Sequence, residues 1–129
     1  MDLTHLADIL VATWKVSQPS RPLPQGQGHL DAALEAAIKS GAFPPQFKEL
    51  SFIHTPSSTY CPELIGILDY ANMSLAITTP NPTYLSANIN LSTEAAEAIL
   101  EEHGISRGDA VAWGNTLASA LDSAGSEPR

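Results

Sequence analysis

Positive charge is the scarcest commodity in this chain. Six Lys and Arg stand against fourteen Asp and Glu, for a net charge of −8. No Lys or Arg occurs from Leu50 to Ser92. Nucleic-acid binding rests on neutralising phosphates with clustered cations, so this balance argues against a nucleic-acid partner. It argues equally against an anionic membrane surface, while a basic protein partner stays compatible with it.

Cysteine is nearly absent. Cys61 stands alone, which excludes an internal disulfide and any CxxC zinc or redox motif. Long apolar runs are missing too. The N-terminal stretch MDLTHLADILVATWKV interrupts its apolar residues with Asp2, Asp8 and Lys15, and has no basic leader. It reads as neither a signal peptide nor a membrane span, and the expectation is a cytoplasmic protein. GxSxG, HExxH, GxGxxG and P-loop motifs are all lacking. The four histidines, His5, His29, His54 and His103, have no helical ligand spacing, so neither a metal site nor a cofactor is expected.

The 129 residues have a globular apolar fraction of 43% and read as one compact domain over 1–129. A Pro/Gly-rich loop is expected at 17–28 and a flexible tail at 123–129. Leu3, Leu6, Leu10 and Trp14 recur at helical spacing and predict a helix over 2–16. Leu30, Ala33, Leu34, Ala37 and Ile38 predict a second over 29–40, stopped by Gly41 and Pro44-Pro45, with Phe43 and Phe47 folding the turn back.

The middle is richer in β signals. LSFIH (50–54) reads as a short strand. MSLAITT (73–79) and TYLSANINL (83–91) alternate apolar and polar residues, and TPNPT (79–83) between them predicts a hairpin turn. ELIGILDYA (63–71) fits a helix or a buried strand, and its β-rich setting favours the strand. Ser92 or Thr93 caps a helix to Glu102, and Ser106 with Asp109 opens a last helix to about Leu121. Its face, Ala110, Trp113, Gly114, Leu117 and Leu121, places Trp113 and Leu117 in the core. The predicted fold class is α+β: a small antiparallel β-sheet of three to four strands. The N-terminal and C-terminal helix pairs pack on one of its faces.

One stretch concentrates reactive side chains: SFIHTPSSTYCPEL (51–64). His54 with Cys61 has the residue types of a base and a nucleophile, and Tyr60 stands beside them. The ordinary reading is that Thr55 to Ser58 connect two elements and Cys61 is a buried packing residue, and it is preferred. The second candidate is the strand 83–91. Its polar side, Tyr84, Ser86, Asn88 and Asn90, is neutral and cheap to desolvate, as interface surfaces are. The expected function is an acidic interaction module that binds, inhibits or regulates another protein, or pairs with a second copy as a homodimer. The alternative is a small enzyme or ligand-binding protein, with a neutral ligand between sheet and helices near His54, Tyr60 and Cys61. The lack of a catalytic constellation argues against an enzyme.

Overall fold

The computed structural model describes residues 3–24, 29–56, 58–73, 77–78 and 86–126. Helices dominate it. They are α1 (Leu3–Ser17), α2 (His29–Lys39), α3 (Pro62–Met73), α4 (Thr93–Glu102) and α5 (Arg107–Ser126), with a short 3-10 turn at Pro45–Glu49. The strands are short: β1 (Leu23–Pro24), β2 (Ile53–His54), β3 (Thr59–Tyr60), β4 (Ile77–Thr78) and β5 (Ser86–Ile89). The fold is broadly α+β but mostly helical.

α1 is the organising element. Leu6, Ala7, Ile9, Leu10, Val11, Ala12, Thr13, Trp14 and Val16 are all buried, so apolar contact surrounds its second half. A helix apolar all round must be enclosed by others. α3, α4 and α5 each pack against it, and α2 packs against α5. The expected arrangement of helix pairs α1 with α2 and α4 with α5 on one sheet face is not what dominates the packing, although α4 and α5 do touch. The most extensive helix contacts, α2 with α5 and α1 with α5, join elements distant in sequence, and α1 is covered by three helices.

Two glycines permit this closeness. A Cβ at Gly114 of α5 would overlap the Ser17 side chain and stand 2.9 Å from the Thr13 carbonyl oxygen. A Cβ at Gly66 of α3 would stand 2.8 Å from Leu3 Cδ1.

Residues 63–71 are helical, not a strand. Pro62 occupies the first turn, where its missing N–H costs nothing. Leu64, Ile67 and Ala71 are buried at i, i+3 and i+7, and they face α1 rather than a sheet. Trp113 is only half-buried against the core, whereas Trp14 is completely buried. Helix α5 is long enough for Leu117, Ala118 and Leu121 to bury themselves on a stripe that passes beside Trp113. α5 also continues to Ser126, through part of the expected tail at 123–129, and β1 lies within the expected loop 17–28.

The local signals at element ends are realised. Ser92 accepts a hydrogen bond from the Ala95 N–H at 3.1 Å, and Ser106 from the Asp109 N–H at 3.1 Å. Gly41 and Gly104 take φ of 80° and 71° after α2 and α4. Phe43 and Phe47 are buried edge to face, with centroids 5.1 Å apart.

The β structure falls into two parts. β5 lies between β1 and β4, antiparallel to both, with Leu23 opposite Ala87 and Ile77 opposite Ile89. β2 and β3 form a separate antiparallel hairpin, with Ile53 opposite Tyr60 and His54 opposite Thr59. The strand expected over 50–54 is thus confined to two residues. Of the strand expected over 83–91, residues 86–89 are observed, and 83–85 lie outside the described residues, as does the turn 79–83.

Candidate functional site

The stretch 51–64 folds as a tight hairpin and a helix start. Thr55 closes the turn twice: its N–H donates to the Ser58 carbonyl at 2.9 Å, and its hydroxyl reaches the same oxygen at 3.1 Å. The turn sets the register that pairs His54 with Thr59. β3 packs on α2, and one face of α2 holds the hairpin by polar contacts. Asp31 accepts the Cys61 N–H at 2.8 Å. One turn on, the Glu35 carboxylate meets His54 Nε2 at 2.7 and 2.8 Å. Lys39 stands a further turn along, 3.6 Å from Glu35. The spacing 31, 35, 39 places these three groups in a row on one helix face. The hydrogen bond from His54 holds the Glu35 carboxyl below the usual carboxylate range, against a smaller opposing effect of burial.

This geometry separates His54 from Cys61 in role. His54 is turned toward Glu35, while the Cys61 thiol is buried. Sγ stands 3.5 Å from Glu63 Oε1. Burial first, then the neighbouring carboxylates of Glu63 and Asp31, push the thiol up to about 11. A nucleophilic cysteine needs the opposite, a cationic neighbour that favours thiolate. Glu63 also accepts the Ser51 N–H at 3.1 Å, which holds its carboxyl low and ties the hairpin base to α3. Tyr60 points away from this network, 41% exposed.

The second candidate is met only in part. Asn88 and Asn90 are exposed, while Ile89 and Leu91 are half-buried, so the alternation holds across those positions. Ser86 begins β5, and Tyr84 lies outside the described residues. β5 is the middle strand, so its edge is not offered to a partner; its face is what remains.

A feature missed in the sequence is the exposed apolar surface. Ile53 is 49% exposed, Tyr60 41%, Ile65 54% and Met73 83%. Ile53 and Tyr60 are cross-strand partners and share a face of the hairpin. Pro62, Ile65, Asp69 and Met73, just after the hairpin in the chain, form an exposed stripe along α3. The helical alternative for 63–71 fitted its apolar residues, but favouring the strand left that exposed stripe unread.

Among the described residues no group of three or more His, Cys, Asp or Glu is placed to hold a metal ion. Among the same residues no helix is long and apolar enough to cross a membrane. No protein-family model matches the chain, no curated protein matches its sequence, and no solved structure matches its fold.

Proposed function

We propose that this chain is a non-enzymatic interaction module that binds and thereby regulates or inhibits another protein. The observation that supports this most is the surface of Ile53, Tyr60, Ile65 and Met73. All four are large, apolar and well exposed, and all fall within one stretch of 21 residues, 53–73. That stretch contains no Lys or Arg. Scattered exposed apolar residues are ordinary, but four within one cation-free stretch, two of them paired across a hairpin and two on one face of the helix that follows it, favour a partner. The carboxylates beside it, Glu63 and exposed Asp69, favour a partner with Lys or Arg around an apolar centre.

Site-specific photo-crosslinking in the native cell extract tests the reading. A crosslinker at Tyr60 or Ile65 is expected to capture the same partner, and one at Glu101 on α4 is not. Ile65→Asp should abolish capture from position 60. Equal capture from all three positions, or none from 60 and 65, sinks the reading.

A second contact through the β5 face is supported by the exposure of Asn88 and Asn90. This is the homodimer form of the proposal. Wild-type protein should then sediment as a dimer and Asn88→Lys as a folded monomer. A wild type that stays monomeric at high concentration removes the homodimer and leaves the hairpin surface untouched.

A further inference from the structure

The C-terminal end of α1 and the segment after it build a concave feature distinct from the hairpin. A cleft of about 140 Å³ is lined by Lys15, Ser20, Arg21, Asn88 and Ile89, with Pro19 and Pro22 in its wall. Two of the six Lys and Arg of a strongly acidic chain are thus among the residues that line one small space.

Both cations are positioned before any ligand arrives. Arg21 donates from Nη2 to Asp122 Oδ1 at 2.7 Å, and its guanidinium lies 5.4 Å from the Trp14 ring centroid. The Arg21 carbonyl in turn accepts the Trp14 indole N–H at 2.8 Å. Lys15 Nζ donates to the Pro19 carbonyl at 3.1 Å. These contacts do not exhaust the donors, since a guanidinium carries five N–H groups and an ammonium three. The prolines limit the backbone freedom of the wall. A preorganised site binds at lower entropic cost.

We infer that this cleft binds a short-chain monocarboxylate, with the carboxylate between Lys15 and Arg21 and the alkyl tail against Ile89 and the prolines. Charge selects the monoanion. Lys15 and Arg21 carry two positive charges, Asp122 cancels one, and the nearby end of α1 is the negative end of its dipole. A dianion would be left undercompensated. The planar fork of arginine matches a carboxylate. Size selects a small ligand, because sites for drug-sized molecules run to about 300–1,000 Å³. Asn88, exposed on β5, adds an amide that can donate to the second carboxylate oxygen.

Titration of 15N-labelled protein with sodium butyrate, butyramide and inorganic phosphate, followed by NMR, tests this. Butyrate is expected to shift the backbone amides of Ser20, Arg21 and Asn88 saturably, with a Kd on the order of 1 mM. Butyramide and phosphate should bind at least about tenfold more weakly, about 1.4 kcal/mol. Arg21→Gln should weaken butyrate to the same degree, but it also disturbs Trp14. Lys15→Gln, at a half-exposed position, is the second variant and must show the same loss with its fold intact. No saturable shift overturns the inference. So does butyramide binding equally, phosphate binding more tightly, or a folded Lys15→Gln that binds butyrate like the wild type.

Discussion

Cys61 shows how one side chain acquires its character from its neighbours. Its sequence context offers hydroxyls and a histidine, whereas its fold surrounds it with burial and two carboxylates. The thiol keeps its proton to about pH 11 in the folded chain, while an ordinary thiol ionises near 9.0. The stability this supplies is full below pH 9 and is lost as pH rises through about 11, because only the unfolded state readily gives up the proton in that window. Alkylation of native protein should therefore be negligible at neutral pH and rise only in strong alkali. A midpoint near the free-thiol value would show that burial does not hold the proton, and one below it that the thiol is activated. Thr13 makes a sharper case. Its Oγ1 is buried with no hydrogen-bond partner among the described residues. Thr13→Val keeps the shape and removes the unsatisfied hydroxyl, and should stabilise the chain by about 1 kcal/mol in denaturant unfolding. A loss of stability would mean that the hydroxyl is satisfied after all.

Between elements, two joints govern the fold. The hairpin β2–β3 is held to α2 by Asp31 and Glu35, the latter also paired with Lys39 on its own helix. Glu35 has a depressed pKa, so its contribution is present above the ordinary carboxylate value of 4.5 and is lost as pH falls through the lower folded value. His54 is well exposed, so Glu35→Gln should cost no more than about 1 kcal/mol. The cost should vanish in acid, which parallel melts at neutral and acidic pH would reveal; an unchanged difference would argue that packing, not charge, holds the hairpin. The joint between α1 and α5 is steric. Gly114→Ala should destabilise by about 1–3 kcal/mol, because the added carbon meets Ser17 and the Thr13 carbonyl. Gly108→Ala in the first turn of α5 meets nothing within 4 Å and should be neutral or stabilising by up to about 1 kcal/mol. Equal melting temperatures for the two variants would mean that the helices part without cost.

At the scale of the whole molecule, α1 couples nearly everything. It packs on α3, α4 and α5, and its Trp14 is completely buried. Removing α1 would uncover three helices at once, so no large part of the core can open alone. Thermal unfolding should be one cooperative transition, with tryptophan fluorescence and far-ultraviolet circular dichroism coincident. Trp14→Ala should cost about 3–5 kcal/mol, and Trp113→Ala, at a half-buried position, clearly less. Two separate transitions would contradict the central role of α1.

Helices α1, α2, α4 and α5 were legible in the sequence, together with the caps Ser92 and Ser106 and the turn glycine Gly41. Each depends on groups within a few residues of one another, so local chemistry suffices. The acidic balance and the cation-free middle were likewise visible without a fold. The tertiary structure decided what local pattern leaves degenerate. A short apolar run with a central glycine, 63–71, suits a strand or a helix. Contact with α1 chose the helix, because Gly66 allows Leu3 to approach. Trp14 rather than Trp113 became the buried tryptophan because burial depends on which stripe the other helices cover. The pairing of Glu35 with His54 spans 19 residues, and the shared cleft of Lys15 and Asn88 spans far more. No periodicity encodes such distances; only chain folding brings those charges and amides together.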